Sequence, residues 1–331
     1  MHSFLEKFSL YFKVCRGYSI PISLMSCIVP FLYALIHKGN VLYGLIAIVG
    51  VVILHLATNL FDDIVDYSRE KAEIDKGLKS DFNFQAQKCL YIREGIFSLK
   101  KAMILNLFLF SVSFLICIFF VHVVGFKLFY VVIPASIICI LYPILGCLGL
   151  GEILVAIVFS PLIYSGIYLV MTGDFSTNIM IYSISTGLLA VAVLHNHMLL
   201  DYKFDKTNRK ITLSRLCGNE YNALILLILI IIMAYINIIV WILLEKIGII
   251  YILTFITLPI AIKLIKVMKK HIKSPEEQIE YSIFMGTKET INKFPPEQQN
   301  FMMKFFLAQN ILYSFSLILC IAILIDKLVI K

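Results

Sequence analysis

The sequence predicts an all-α, polytopic membrane protein, and three observations carry that prediction. Apolar runs of roughly 20 residues recur along the chain, each long enough to cross the hydrocarbon of a bilayer as a helix. A mean hydropathy of +0.91, with 60% hydrophobic and only 15% charged residues, excludes an ordinary soluble domain of 331 residues. The lysines and arginines gather in a few polar segments instead of spreading evenly, which excludes a nucleic-acid-binding reading of the net charge of +8.

Taken in order, Met1 to Gly17 is polar and amphipathic, without a small-residue cleavage site, so no cleavable signal peptide is expected. Nine spans follow, at about 19–37, 41–61, 102–125, 127–147, 150–172, 178–199, 221–244, 247–268 and 303–326. The fourth and fifth are joined by the short turn Cys147-Leu148-Gly149, and Tyr142-Pro143 marks a helix end or kink. Longer polar segments, 62–101, 200–220 and 269–302, follow spans two, six and eight. In the last of them Ser274-Pro275-Glu276-Glu277 reads as a capped helix start, and Pro295-Pro296 breaks the chain before span nine. That segment is either a short helix over the mouth of the bundle or an ordinary solvated connector. The eight cysteines form no CxxC pair and read as reduced packing residues.

Even-numbered spans return the chain to its starting side, so all three polar segments share the side of the N-terminus. Of 29 lysines and arginines, 24 fall on that side; the others are Lys38, Lys127, Lys246, Lys327 and Lys331. The positive-inside rule therefore predicts a multi-pass protein of the cell (inner, cytoplasmic) membrane with a cytoplasmic N-terminus.

Two acidic clusters lie on that side, each where an apolar span ends: Asp62-Asp63-Ile64-Val65-Asp66 and Asp201-Tyr202-Lys203-Phe204-Asp205. On a helix Asp62 and Asp66, and again Asp201 and Asp205, are i and i+4, so the carboxylates of each pair share a face, and Glu70 extends the first stripe. Like charges so placed repel unless a cation bridges them, and hard oxygen donors suit Mg²⁺ shared with phosphate oxygens. Two such walls facing one another can hold divalent cations, and the cations can hold the diphosphate of a polyprenyl diphosphate. Candidate partners of that anion are Arg16, Lys76, Arg93, Arg209 and Lys210; each reads alternatively as a topology determinant or a lipid-headgroup contact. Asn59 orients groups at the metal site or caps a helix. His197, one turn before Asp201, is a candidate proton acceptor or a packed helix-end histidine. His55 and His195 read as packing residues, and Glu152 as a dipole partner or substrate contact.

These motifs resemble the UbiA superfamily of intramembrane aromatic prenyltransferases, whose first motif runs N-D-x-x-D-x-x-x-D and whose second runs D-x-x-x-D. Here Asp62-Asp63-x-x-Asp66-x-x-x-Glu70 falls in the first frame, with Asp62 for Asn and Glu70 for the last Asp. Asp201 to Asp205, then Arg209-Lys210-Ile211-Thr212, falls in the second. Thr58-Asn59, Gly149-Leu150-Gly151-Glu152 with Pro161, Gly166 and Tyr168, and Arg93-Glu94-Gly95 with Ser98 are most similar to the MenA subgroup, the 1,4-dihydroxy-2-naphthoate polyprenyltransferases. Two features depart from that subgroup. His197-Met198-Leu199-Leu200-Asp201 lacks its N-N-x-R-D, and Ile211 stands where a lysine is common.

The resemblance implies one UbiA-type domain over residues 1–331, a nine-helix bundle with a cytoplasmic cap. Its halves are about 16–147 and 148–326, one acidic motif in each, on loops after spans two and six. It implies Mg²⁺ held by Asp62, Asp63, Asp66, Glu70, Asp201 and Asp205, with Asp63, Asp66, Asp201 and Asp205 catalytic. Asn59, Lys210, Arg209, Arg16, Lys76 and Arg93 would bind diphosphate. The implied partners are a polyprenyl diphosphate, an aromatic acceptor and membrane lipid, with no nucleic acid. The implied reaction transfers the prenyl group to 1,4-dihydroxy-2-naphthoate in menaquinone biosynthesis. The alternatives are another acceptor (4-hydroxybenzoate, a lipid alcohol or a secondary metabolite) and, more remotely, a membrane transporter.

Overall fold

The computed structural model describes residues 4–78, 88–207, 210–275 and 277–328. Among these residues the chain is helical, apart from turns and one isolated parallel bridge between Leu148 and Ile211. The helices are α1 (Phe4–Val14), α2 (Ile20–Ile36), α3 (Val41–Asp75), α4 (Leu90–Arg93), α5 (Leu99–Val124), α6 (Phe129–Leu145), α7 (Gly151–Ile157), α8 (Ile163–Thr172), α9 (Asn178–Leu200), α10 (Tyr202–Thr207), α11 (Leu213–Leu216), α12 (Glu220–Leu243), α13 (Leu258–Lys273), α14 (Lys288–Ile291) and α15 (Pro296–Leu328). A π-turn over Val158–Leu162 joins α7 to α8, where Pro161 lacks the N–H a regular ladder needs, and a 3-10 run over Ile249–Thr257 leads into α13.

Local chemistry starts the long helices where the sequence offers a cap. Asn40 accepts the Tyr43 N–H at the start of α3, Ser98 that of Lys101 at α5, and Asn219 that of Asn222 at α12. Pro296 opens α15, at the break expected from Pro295-Pro296. Of the two readings of that segment, the described residues favour the connector: no α-helix starts at Ser274 among them, and the next is α14, capped by Thr287, whose hydroxyl accepts the Thr290 N–H. A serine, a proline and acidic residues suffice for a cap, but Ile279 and Met285 reach the main core from non-α-helical backbone. Pro143 does not end α6, which runs on to Leu145.

Among the described residues eight continuous helical stretches are long and apolar enough to cross a membrane, where nine separate spans were expected. The difference lies in Leu99–Leu145, which joins the expected third and fourth spans through a 3-10 turn at Gly125–Leu128. Its two halves run in opposite directions along α3. Asn106 meets Ala57, Ile116 meets Gly50 and Phe120 meets Tyr43, so α5 descends α3. Cys139 then meets Thr58 and Cys147 meets Arg69, so α6 climbs back.

The acidic residues lie at the end where α5 starts and α6 finishes. Helix α9 is the most deeply buried of the long helices, packed against α12, α15 and α7. Gly187 on α9 leaves no room for a Cβ beside Ser160, so the π-turn packs directly on its backbone. A second, smaller core of Val14, Cys15, Leu60, Ile64, Ile92, Phe97 and Ala102 binds α1, α4 and the start of α5 to α3 at the acidic end. That core draws the N-terminal segment and the α4 turn onto the first acidic motif.

Candidate active site

The first motif is not on a loop. Helix α3 continues without a break to Asp75, and its 35 residues span about 52 Å, well beyond the roughly 30 Å of a hydrocarbon core. Asp62, Asp63, Asp66 and Glu70 therefore sit on the last turns of a continuous helix, and all four are buried, Asp66 to 3% exposure. Buried carboxylates need counter-charge. Arg16 supplies it to Asp62 (Nη2–Oδ2 3.2 Å) and forks onto Asp63 through Nε (3.3 Å) and Nη2. Lys88 reaches Asp62 (3.4 Å) and also pairs with Asp66, and Arg69 pairs with Asp66 at 2.6 Å. The Cys89 thiol donates to the Asp63 backbone oxygen at 3.3 Å. Burial opposes the charge of Lys88, but Asp62 and Asp66 outweigh it and hold the ammonium well above the usual lysine range.

The backbone is bent to make these contacts. Arg16 and the residue after Lys88, Cys89, have φ of 55° and 53°, left-handed values that non-glycine residues seldom adopt. Each sits at a turn immediately before a helix, α2 or α4, and each is buttressed by the smaller core. Strain of this kind persists where the surrounding packing over-determines it.

The second motif is built differently. Helix α9 ends at Asp201, its C-cap, and α10 restarts one residue later, so Asp205 donates its N–H to the Asp201 carbonyl at 2.8 Å. Both side chains are buried, Asp205 to 3%, yet Asp201 Oδ1 and Asp205 Oδ2 have no hydrogen-bond partner among the described residues. Only His197 Nε2 approaches the other Asp201 oxygen, at 3.2 Å. Burial pushes the Asp201 carboxyl up to about 7 and the Asp205 carboxyl up to about 6, against the opposing pull of Lys210 and Lys88. The loop after it is held by backbone contacts. Arg215 donates to the carbonyls of Asp205 (3.1 Å) and Lys210, Tyr202 to that of Gly218 (2.8 Å), and Ile211 pairs with Leu148.

The two walls face a common space. Lys88, bonded to the first motif, acts electrostatically on Asp201 and Asp205, and Lys210, beside the second, acts on Asp62. No three His, Cys, Asp or Glu side chains among the described residues converge closely enough to enclose a metal ion. The donor set nevertheless fits Mg²⁺: hard carboxylates only, with two buried oxygens left unpartnered on the second wall.

Of the other predicted residues, Lys210 borders the site, and its N–H donates to the Asp205 carbonyl at 3.0 Å. Asn59 donates to the Ser19 hydroxyl at 2.9 Å, which ties α3 to the turn that carries Arg16. Lys76 is exposed at the end of α3, more than two turns past Asp66, and Arg93 pairs with Glu94 at 3.7 Å. Arg209 lies outside the described residues. His197 packs edge-on to Phe301 and Phe305 while its Nε2 faces Asp201 at 3.2 Å, and buried Glu152 pairs with His195 at 3.3 Å. Lys88, Arg69 and Arg215 escaped sequence reasoning. Arg69 carried a local signal, its i, i+3 spacing from Asp66; Lys88 carried none, being 22 residues from Asp66 along the chain.

Fold and site define a class: a polytopic helical membrane protein with a buried cluster of acidic and basic side chains at one end of its bundle. The sequence matches the UbiA prenyltransferase family over residues 23–285, about four-fifths of the chain, and the protein belongs to that family. It is therefore a membrane prenyltransferase. Among solved structures it is similar to a UbiA homologue from Archaeoglobus fulgidus bound to GPP and Mg²⁺ (TM-score 0.59, 16% identity, 93% of this chain and 99% of that one). It is also similar to a structure reported for digeranylgeranylglyceryl phosphate synthase (TM-score 0.55, 17% identity, 94% and 98%). At such identities the likeness is one of fold. No curated protein sequence matches the chain significantly.

Proposed function

We propose that this protein catalyses Mg²⁺-dependent transfer of a polyprenyl group from its diphosphate to an aromatic acceptor, with 1,4-dihydroxy-2-naphthoate as the acceptor. One observation carries the metal-diphosphate core: the unpartnered, buried oxygens of Asp201 and Asp205 beside Lys88 and Lys210. Asp201, Asp205 and the first-motif carboxylates Asp62, Asp63, Asp66 and Glu70 hold the metal. Bound Mg²⁺ supplies charge neutralisation of the departing diphosphate. Lys88, Lys210 and Arg16 take the diphosphate oxygens, with Arg209 as a further candidate. Their fixed positive charge favours breaking of the allylic C1–O bond, the electron pair leaving with the diphosphate. A ring carbon of the acceptor then donates a pair to C1. An acceptor that keeps its substituents loses the proton of the attacked ring carbon; 1,4-dihydroxy-2-naphthoate instead loses its carboxylate as CO₂, and any proton lost from the attacked carbon is matched by one taken up where the carboxylate left. Burial of the pocket keeps water from the allylic cation.

The choice of acceptor rests on the MenA-like stretches at Thr58-Asn59, Gly149–Glu152 and Arg93–Ser98. We further propose that the reversal inside Leu99–Leu145 gives nine crossings, and that the 24 lysines and arginines of the N-terminal side put the acidic end in the cytoplasm. Labelling of a cysteine placed at Lys76 by a membrane-impermeant thiol reagent, from the outer face only, would refute that orientation.

The deciding experiment is mass spectrometry of products. Purified protein is given Mg²⁺, a prenyl diphosphate and a panel of 1,4-dihydroxy-2-naphthoate, 4-hydroxybenzoate and a lipid alcohol. A prenylated, decarboxylated naphthoquinol is the expected product. Product from another acceptor replaces the acceptor assignment and keeps the mechanism. No product with any acceptor, from protein shown to be folded, refutes the reading.

A further inference from the structure

The exposed surface of one span changes character along its length. From Ile249 to Lys273 the chain is helical, first as the 3-10 run and then as α13. Its large exposed apolar side chains are Ile249, Ile252, Ile256 and Ile262, and beyond Ile262 every exposed residue of α13 is a lysine. Lys266, Lys269 and Lys273 follow Ile262 at i+4, i+7 and i+11, the spacing of a single stripe on an α-helix. Lys263 and Lys270 flank the stripe, and the opposite face, with Ile260, Leu264, Val267 and Met268, is buried. Lys270 is tied to Glu277 at 2.7 Å, whereas Lys266, Lys269 and Lys273 have no ion-pair partner among the described residues. Three unneutralised like charges on one helix face repel, so the stripe fits an anionic neighbour from outside the chain.

The change falls at a definite depth. At about 2.0 Å per residue through the 3-10 run and about 1.5 Å through α13, Lys266 stands about 30 Å along the axis from Ile249, the thickness of a hydrocarbon core, and Lys273 about 40 Å. The isoleucines therefore face acyl chains, and the lysines stand at headgroup level. This is the end of the bundle that carries the acidic walls: His271 on α13 meets Lys304 Nζ at 2.9 Å, and the Lys304 carbonyl accepts from Asn196, five residues before Asp201. We propose that the α13 lysine stripe is a docking site for the anionic headgroups of bilayer phospholipids. Lysine suits this boundary, because its apolar stem lies along acyl chains while the ammonium reaches the phosphodiester. An acidic soluble protein would match the lysines but not the isoleucine row that leads into them, so the continuity of the two rows selects a lipid. The lipid is held as a surface contact and not as a substrate, and the inference stands apart from the choice of acceptor.

The test is native mass spectrometry of the full-length protein in a non-ionic detergent, titrated with dioleoylphosphatidylglycerol or dioleoylphosphatidylcholine, which share acyl chains and differ in net charge. The reading is the apparent Kd of the first lipid retained. The unaltered protein should hold the anionic lipid about tenfold more tightly than the zwitterionic one, since each lysine near an anionic headgroup adds attraction. Raising the ionic strength from about 0.05 M to about 0.5 M should cut that preference to about threefold or less by screening. The combined variant Lys266→Gln, Lys269→Gln, Lys273→Gln should bring the two lipids within about twofold of each other, while arginine at the same three positions keeps the preference. A control variant, Lys76→Gln, Lys100→Gln, Lys101→Gln, removes the same charge from exposed positions on α3's end and α5 and should keep at least half of the preference. Equal retention of both lipids by the unaltered protein would overturn the proposal. Equal loss in the control and the α13 variant would also overturn it, by making the attraction a property of net charge. If the glutamine variant fails to fold, the arginine variant and the salt series decide: a preference that ignores salt, or that arginine abolishes, overturns the site.

Discussion

The two acidic walls carry similar residues and reach opposite electrostatic states. On α3, Asp62, Asp63 and Asp66 are each paired with Arg16, Lys88 or Arg69, and their helix runs straight through the motif. At the end of α9, Asp201 and Asp205 are as deeply buried but keep unpartnered oxygens, across a helix that stops and restarts. The continuous helix holds its carboxylates where the N-terminal turn and the α4 turn can reach them. The broken helix turns its backbone contacts inward and leaves its carboxylates to the central space. One wall is neutralised by the chain itself, and the other depends on what binds.

The largest effect that could break this comparison is on turnover. Asp201→Asn and Asp205→Asn should each lower kcat at least about a hundredfold, as expected when charge-stabilising groups are lost, while the amount of membrane-inserted protein is unchanged. Product quantification by mass spectrometry at matched protein would show it, and full activity in both variants would remove the second wall from the site.

Next comes stability without metal. Lys88→Met strips Asp62 and Asp66 of a partner that is a quarter exposed and should destabilise the protein by about 2 kcal/mol, between the values for exposed and fully buried pairs. Asp201→Asn removes an unpartnered buried charge and should leave the metal-free melting temperature unchanged or higher. Thermal melts in chelator decide the point; equal destabilisation by both changes would erase the difference between the walls.

A smaller effect is the pH dependence. In the folded protein the Asp201 and Asp205 carboxyls hold their protons up to about 7 and about 6, against an ordinary 3.8. The folded state therefore binds more protons than the unfolded state across that window, and metal-free stability should fall as pH rises from about 4 to about 7. Since Mg²⁺ competes with those protons, its stabilising effect should grow over the same range. Melting temperatures at a series of pH values, with and without Mg²⁺, measure both slopes, and Asp201→Asn should flatten the first.

The smallest expected change is at Lys76. Exposed at the end of α3 and away from the aspartates, Lys76→Ala should keep turnover within about twofold, as surface substitutions do. A loss of tenfold in the same product assay would bring that lysine into the diphosphate site.

Much of the fold was legible because its signals are local. A span is a run of apolar side chains, so hydropathy along the chain located the membrane-crossing helices. The failures are equally physical. The resemblance placed the first motif on a loop, whereas the i, i+4 spacing put its carboxylates on one helix face, and Arg16 and Lys88 let a continuous helix carry them inside. Ser274 read as a helix start, but Ile279 and Met285 beyond it are buried in the main core from irregular and 3-10 backbone rather than from an α-helix.

The sequence by itself determined the helical membrane class and the two acidic motifs at span ends, because hydropathy and charge act along the chain over single spans. Only the tertiary structure decided which cations neutralise which carboxylates. Lys88 meets Asp66 because the α4 turn is packed onto α3 through Ile92 and Phe97, and Arg16 meets Asp63 because Val14 and Cys15 are buried in the same small core. Ion pairing depends on distance in space, and only packing sets that distance.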